Sequence, residues 1–419
     1  MSSMIKPARQ TSMSLQTQAA IPDASTTIEP ASKSSSPAVG LTPEGCTSRR
    51  RRLWDSLRSQ CDAIVVSDPA HLIYLANFAP SPFSFRTSGA SAALILRPGR
   101  ATLVADNLLT PYADTAYVDE VAAPVWYNGR ESPVGRSETV VEAALATLEL
   151  SKATRLGIEP ARVPAGIVEG SRARRKKLET VDVAPTLRRL RRTKDADELE
   201  LMHASILAGE AGQAAALALA APGMTELDVY HIVNQAAIAS VGAPVIVYGD
   251  FVVSTRGDRT GGPPTQRVIV PGDLFLLDYS VVVGGYRADF TNTFVIGGRP
   301  TGAQVELYQA CMAALAAAEA ALAPGKSGRE LDAVARAVFA ARGLEANWPS
   351  HLGHGLGLEH PEAPFLVREG DDILMPGDVV ALEPGLYVAG VGGMRFEHNY
   401  LLTDDGCERL TRHQLTLTG

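Results

Sequence analysis

Ligand-type side chains crowd into residues 351–364, which read HLGHGLGLEHPEAP. Three histidines (His351, His354 and His360) stand there with two glutamates, Glu359 and Glu362. Imidazole and carboxylate groups bind transition metals such as Mn, Fe, Co and Zn. Glycines on both sides of His354 permit close packing of the backbone around it. The stretch therefore indicates a metal site in which His354 is a ligand.

Two aspartates lie on a predicted β-hairpin, residues 274–297 (LFLLDYSVVVGGYRADFTNTFVIG). Its centre, Gly284–Gly285, is a favourable two-residue turn. With that turn fixed, Ser280 faces Asp289, and Asp278 lies on the same face as Ser280. Asp278 and Asp289 are then diagonal neighbours, with Cα atoms about 7–8 Å apart. Two buried carboxylates so close are costly unless they share a cation. The alternatives are exposure to solvent or pairing with arginines such as Arg287.

Two glutamates have the same character. Glu383 stands inside an apolar run (VVALEPGLYV), just before a Pro–Gly pair. The segment GMRFEHNYLL alternates, so Arg395 and Glu397 share one face and Phe396 and His398 the other. Four carboxylates and one imidazole form an oxygen-rich set that suits Mn, Fe, Co or Zn. Pairs of metals about 3.5–4 Å apart activate water and polarise carbonyls, so the pattern indicates a hydrolase.

The composition bounds the setting of this chemistry. The chain has 419 residues, 46% of them hydrophobic, and a net charge of −7, which favour a soluble globular protein of two domains and argue against a nucleic-acid role. No apolar run approaches the roughly 18 residues of a membrane span. The four cysteines form no CxxC pair, which fits a reducing, cytoplasmic location.

The chain divides into three segments. Residues 1–44, rich in Ser, Thr, Ala and Pro, are predicted to be a disordered tail. Residues 45–185 alternate helical and β-rich patterns, which indicates an α/β domain. The basic run RRRR at 49–52 is interpreted as the solvated start of its first helix. Residues 186–419 form the second domain, whose first long helix opens with acids, Asp195, Asp197 and Glu198, where the helix dipole favours them.

A weak internal repeat organises the second domain. Residues 221–243 (APGMTELDVYHIVNQAAIASVGA) resemble residues 323–346 (APGKSGRELDAVARAVFAARGLEA). Each copy follows an Ala-rich helix and begins a second one; Ser327 and Glu330 form a capping box, and Thr225 and Asp228 a looser version. A β-rich segment follows each pair of helices. The domain is thus predicted to be a duplicated helix–helix–sheet unit of the α+β class, with a cleft at its pseudo-symmetry axis.

These motifs together resemble a known family. The segments LDYSVVVGGYRADFTNTF, GHGLGL, ALEPGLY and MRFEHNYLLTDDG look like those of the pita-bread metallopeptidases, which include aminopeptidase P, prolidase and creatinase. The resemblance covers roughly residues 185–419. It extends to residues 45–185, where DAIVVSDPAHLIYLANF is similar to the N-terminal domain of creatinase and prolidase. It implies a creatinase-type α/β domain followed by a pita-bread catalytic domain.

The resemblance also implies roles. The five ligands Asp278, Asp289, His354, Glu383 and Glu397 would hold two divalent ions, Mn in first place, with Co, Zn or Fe as alternatives. Asp278 and Glu397 would be shared by both ions, Asp289 would bind one, and His354 with Glu383 the other. A bridging water would attack the scissile carbonyl of a small peptide, and Arg395 would orient Glu397. The relatives commonly form homodimers.

The sequence departs from the peptidase pattern at three places. Gly261 stands where peptidases carry a substrate-binding histidine, and Ser350 and Pro361 stand at two further histidine positions. His351 is one step late and His360 one step early, and either is a candidate replacement. The first hypothesis is therefore an Xaa-Pro dipeptidase or aminopeptidase.

Two alternatives to this hypothesis stay open. The second is a non-peptidase enzyme of the same fold that acts on a small amide, amidine or sulfonium compound. Such relatives include creatinase, hydrolases of ectoine derivatives and a sulfonium lyase. The third is a binding protein without activity, against which the intact ligand set counts.

Overall fold

The structure, a computed structural model, describes residues 40–149, 152–257 and 261–418. Residues 1–39 of the predicted tail lie outside these ranges. The first helix begins at Pro43, so the last two residues assigned to the tail are helical. Within the described ranges, no helix is long and apolar enough to cross a membrane.

The N-terminal part is built on one six-stranded sheet. Its elements, in chain order, are α1 (Pro43–Leu57), β1 (Ala63–Val66), α2 (Pro69–Ala76), β2 (Ala92–Arg97), β3 (Arg100–Ala105), α3 (Thr110–Ala113), β4 (Glu120–Ala122), α4 (Arg136–Glu149), β5 (Arg155–Ile158), α5 (Ala165–Arg174), β6 (Glu179–Asp182) and α6 (Ala184–Arg192). The strands lie in the order β4-β3-β2-β1-β5-β6. Alternate residues of β1 enter two different apolar clusters, Ile64 and Val66 in one, Ala63 and Val65 in the other. Both faces of the sheet are therefore covered, as expected for an α/β domain.

The C-terminal part repeats one arrangement of helices and strands. Its elements are α7 (Ala196–Leu219), α8 (Glu226–Val241), β7 (Ile246–Val253), β8 (Leu274–Val283), β9 (Tyr286–Val295), α9 (Gly302–Ala321), α10 (Gly328–Ala340), β10 (Gly353–Gly355), β11 (Glu362–Leu366), β12 (Val379–Leu382), β13 (Gly385–Val388), β14 (Gly392–Arg395), β15 (His398–Leu402) and β16 (Cys407–Arg409). The strands form sheets in the orders β7-β8-β9, β11-β10-β12-β15-β16 and β13-β14.

The predicted internal repeat is confirmed at its helix starts. Thr225 and Asp228 close a full capping box at the beginning of α8, and Ser327 and Glu330 do the same for α10. In each box the side-chain oxygens satisfy backbone N–H groups that have no partner inside the helix. Each helix pair, α7–α8 and α9–α10, precedes a sheet, so helix–helix–sheet occurs twice.

The hairpin of β8 and β9 has the predicted register. Gly284 and Gly285 form its turn with φ of 58° and 90°, a backbone conformation that glycine adopts without strain. Ser280 pairs with Asp289, and Asp278 pairs with Thr291. Asp278 and Asp289 are therefore diagonal neighbours on one face of the sheet, as the sequence predicts. One face of the hairpin thus presents both carboxylates to the same cleft.

The basic run at 49–52 is not a fully solvated helix start, which corrects the sequence interpretation. Arg49 is completely buried, and its guanidinium donates to both oxygens of Asp197 at 2.8 and 3.0 Å and to Asp195 at 3.1 Å. Arg52 also donates to Asp195, at 3.0 Å. The acids that open α7 thus serve as partners for helix α1 as well as for the helix dipole. Periodicity in α1 alone does not reveal this pairing, because the partners lie about 150 residues away.

We expect Arg49→Ala to lower the free energy of unfolding by roughly 3–5 kcal/mol, since it leaves buried carboxylates without a counter-ion. Arg51, exposed on the same helix, is the matched control, and Arg51→Ala should change stability by less than about 0.5 kcal/mol. Urea denaturation of both variants measures the difference. Equal losses for the two would contradict the role given to Arg49.

Candidate metal centre

The five predicted metal ligands come from separate elements. Asp278 and Asp289 project from β8 and β9, and His354 lies in β10. Glu383 lies between β12 and β13, and Glu397 lies between β14 and β15. All are buried except Asp278, whose side chain is 16% exposed. Each ligand therefore reaches the cleft from a sheet or from the point where one strand gives way to the next.

The structure brings the five side chains together. His354 Nε2 lies 3.2 Å from Glu383 Oε1 and 3.7 Å from Asp289 Oδ2. Oxygens of Asp278, Glu383 and Glu397 lie within 4.8 Å of one another. One imidazole nitrogen and oxygens of four carboxylates thus converge on one small volume. Because His354 lies between Glu383 and Asp289, an ion bound to it has an oxygen donor available on either side.

The hydrogen bonds around the ligands fix their orientation. His354 Nδ1 donates to the carbonyl oxygen of Gly355 at 2.9 Å, which leaves Nε2 directed at the carboxylates. Thr291 donates to Glu397 Oε2 at 2.6 Å. The side chain of Asn399 bonds both the N–H and the carbonyl of Asp289, at 3.1 and 2.9 Å. Such support is typical of metal ligands, whose orientation is set by their outer partners.

The charges of the cluster fit divalent cations. Glu397 Oε1 is buried and accepts no hydrogen bond from the described residues. Burial, together with repulsion from Asp289, Glu383 and Asp278, raises the pKa of Glu397 well above its usual value. Burial raises the pKa of Asp278 to about 8 in spite of the neighbouring Arg395 guanidinium. Four carboxylates in one buried site therefore hold more negative charge than their protein neighbours neutralise, and divalent ions would supply the balance.

The ion pairs of Arg395 are with carboxylates other than Glu397, so the orienting role that the resemblance implies stays a prediction. Its Nη2 pairs with Asp278 and, at 3.0 Å, with Asp250, while Nη1 lies 3.7 Å from Glu383. The strand predicted through both residues is interrupted, since β14 ends at Arg395 and β15 begins at His398. Thr291 supports Glu397. The predicted division of faces holds in part, because Arg395 and Glu397 both face the cleft while Phe396 enters the core.

Both off-register histidines reach the ligands. His360 Nε2 lies 2.7 Å from Asp289 Oδ2, and His351 Nε2 lies 3.1 Å from Glu383 Oε1. Their side chains are 27% and 38% exposed, so they stand at the open side of the cluster. A shift of one residue along the chain thus does not remove either imidazole from the site. Whether the two imidazoles reach the cluster depends on the path of the loop, which residue spacing alone does not predict.

The two glutamates of the same stretch have another task. Glu362 accepts from Lys194 at 2.9 Å and pairs with Arg191, and Glu359 pairs with Arg191 at 2.8 Å. Nη1 of Arg191 in turn lies 3.1 Å from Nε2 of the buried His71. These contacts tie the loop that carries His360 to the N-terminal part.

Sequence reasoning missed Asp250. It lies on β7 directly opposite Asp278, so the two side chains share one face of the sheet. The signal was present: Asp250 is a single acid in the apolar run VIVYGDFVV, the same kind of feature that identifies Asp278 and Glu383.

Two family models match the chain. The model of metallopeptidase family M24 matches residues 200–404, and that of the Creatinase/Prolidase N-terminal domain matches residues 49–193. An uncharacterized peptidase of Bacillus subtilis, YqhT, is 30% identical over 278 residues, which are 65% of this chain and 77% of that protein. An Xaa-Pro dipeptidase of Pyrococcus horikoshii is 28% identical over 311 residues, which are 74% of this chain and 87% of that protein.

Crystal structures show the same fold. A prolidase from Pyrococcus horikoshii OT3 matches with a TM-score of 0.75 at 23% identity, over 88% of this chain and 99% of that one. An X-Pro aminopeptidase from Thermotoga maritima MSB8 matches with a TM-score of 0.76 at 22% identity, over 88% and 99%. The expected fold, a creatinase-type N-terminal domain followed by a pita-bread domain, is confirmed.

His413 packs against strand β9 beside the cluster, and its burial makes the free energy of unfolding depend on pH. Its Nε2 lies 3.4 Å from the carbonyl of Thr291, and its ring packs against Phe290. Burial lowers its pKa to about 4. Between pH 6.5 and 4 the imidazole is therefore protonated in the unfolded chain but neutral in the folded chain. As the pH decreases through this range, the free energy of unfolding decreases by up to about 3 kcal/mol.

We expect His413→Gln to flatten the pH dependence of the free energy of unfolding between pH 6.5 and 4. The exposed His203 provides the control, and His203→Gln should keep the slope of the parent. Chemical denaturation at a series of pH values measures both. An unchanged slope in His413→Gln would show that the buried imidazole is not what the acid titrates.

Proposed function

This chain belongs to metallopeptidase family M24, and on that premise we propose that it is a dinuclear metal-dependent hydrolase of Xaa-Pro peptides, a dipeptidase or an aminopeptidase. One observation carries the proposal: Asp278, Asp289, His354, Glu383 and Glu397 converge. With His351 and His360 at the rim, the cleft has both a place for ions and groups that can contact a substrate. Mn²⁺ is the first expectation, with Co, Zn or Fe as alternatives that the same ligand set accepts.

The bound ions would supply a water of lowered pKa and polarise the scissile carbonyl. The protein's own part is to hold the ligands and to position the peptide. An X–Pro amide has no N–H to donate, so the carbonyl oxygen is the part of the bond that protein donors can contact. The imidazoles of His360 and His351 stand at the open side of the cluster, where they can donate to that oxygen as negative charge develops on it.

A second function is favoured by one residue. Gly261 offers no side chain where peptidase relatives are expected to carry a substrate-binding histidine. This change favours a metal-dependent enzyme of the same fold that acts on a small amide, amidine or sulfonium compound. The positions of His351 and His360 favour the peptidase, since two imidazoles remain within reach of the centre.

The proposal also includes a cellular location and an oligomeric state. All four cysteines lie within the described residues and are free thiols, which supports a reducing, cytoplasmic location. The homodimer implied by the resemblance remains a prediction. Light scattering on the purified protein tests it.

The decisive assay is hydrolysis of Xaa-Pro dipeptides by purified protein supplied with Mn²⁺, together with the number of ions bound. We expect two ions per chain and turnover that a chelator abolishes. Asp289→Asn should bind fewer ions and lose at least a hundredfold in kcat/KM, because it removes a charged ligand. Two bound ions without turnover of any Xaa-Pro dipeptide would reject the peptidase and leave the non-peptidase enzyme.

His360→Ala separates a substrate contact from a metal ligand. It should keep the two ions and lose roughly 10²–10³-fold in kcat, the usual cost of one oxyanion donor. Loss of an ion from this variant would instead make His360 a ligand.

A further inference from the structure

The carboxylate of Asp250 occupies the space that a side chain at position 261 needs. A Cβ built on Gly261 would lie 1.5 Å from Asp250 Oδ2 and 1.8 Å from its Cγ, which is far inside contact distance. A side chain at 261 and the present position of the Asp250 carboxylate therefore exclude each other.

Within the described residues, one oxygen of Asp250 accepts a hydrogen bond. Oδ2 accepts from Nη2 of Arg395 at 3.0 Å, and the same guanidinium also pairs with Asp278. Oδ1 accepts no hydrogen bond from any residue of the described ranges. The side chain is 30% exposed, and it stands on the same face as Asp278. The wall of the cleft beside the metal ligands therefore presents an oxygen that lacks a donor.

A carboxylate in place of an imidazole changes this wall of the cleft from a hydrogen-bond donor to an acceptor. An imidazole can donate a hydrogen bond, whereas an ionised carboxylate only accepts. A substrate oxygen or carboxylate placed here would meet a lone pair and a negative charge. An ammonium or guanidinium group would instead form a charge-assisted hydrogen bond, which is about twice as strong as a neutral one.

We propose that Asp250 determines specificity, and that it selects substrates whose side chain next to the scissile bond carries an ammonium or guanidinium group, beyond the α-amine that all substrates of an exopeptidase share. The proposal rests on the proposed function for the position of the reacting bond, but recognition of the cation needs no turnover. Asp250→Asn suits the test, because its amide oxygen can still accept from Arg395 while the negative charge is removed.

Binding is tested first, with butylguanidinium and its neutral analogue butylurea as probes, by calorimetry on the metal-loaded full chain. We expect the protein to bind the cation at least tenfold more tightly than the urea, and Asp250→Asn to lose that preference. Asp404→Asn, a change at an exposed aspartate of the same domain, should keep it and so controls for net charge. Equal affinity for the two probes in the parent protein, or a preference that survives in Asp250→Asn, would overturn the proposal.

Turnover gives the second readout. Lys-Pro and its ε-acetyl form both keep the free α-amine and differ in the charge of the side chain. Lys-Pro should be favoured in kcat/KM, mainly through KM, and Asp250→Asn should reduce that ratio at least tenfold. Probe selectivity without hydrolysis would sink the peptidase and keep Asp250 as the selector, whereas hydrolysis indifferent to charge would do the reverse.

The steric conflict between Asp250 and a side chain at position 261 can be tested separately. Gly261→His alone should lower the melting temperature, because the new side chain collides with Asp250. The double variant Asp250→Ala/Gly261→His should recover most of that loss and show no preference for butylguanidinium. A single variant as stable as the parent, with the preference intact, would contradict the mutual exclusion.

Discussion

Repulsion among four clustered carboxylates, three of them buried, is the constraint on which the rest of this structure depends. Asp278, Asp289, Glu383 and Glu397 are drawn together from four different places in the chain, and the protein groups around them neutralise only part of their charge. Burying like charges costs several kcal/mol per group unless cations compensate. Divalent ions bound here would offset this repulsion, so we expect metal binding and the stability of the C-terminal part to be coupled.

The register of one hairpin and the ends of four strands bring these carboxylates together. The β8–β9 hairpin sets the two aspartates diagonally across one face. Glu383 and Glu397 each stand where one strand ends and another begins, so their side chains reach the cleft rather than a packed face. Buried ion pairs complete the scaffold, with Arg49 joining helix α1 to α7 and Arg191 joining α6 to Glu362 at the start of β11, next to the loop of His360.

Features with a short-range cause could be predicted from the sequence, and long-range ones could not. The Gly–Gly turn and the alternation of strands fix the register of Asp278 and Asp289, and the capping boxes fix the starts of α8 and α10. The family motifs mark the five predicted ligands, but whether His360 reaches them depends on the path of its loop. Arg49 is buried by partners that are distant in sequence, and Asp250 fills the space beside Gly261 from a separate segment. Neither contact leaves a periodic pattern in the sequence.

The central claim is that this one cluster holds two metal ions. Anomalous diffraction at the manganese edge, from crystals grown with Mn²⁺, tests it most directly. We expect two peaks about 3.5–4 Å apart, both within coordination distance of the cluster formed by Asp278, Asp289, His354, Glu383 and Glu397. A single peak, or peaks elsewhere in the chain, would contradict the account.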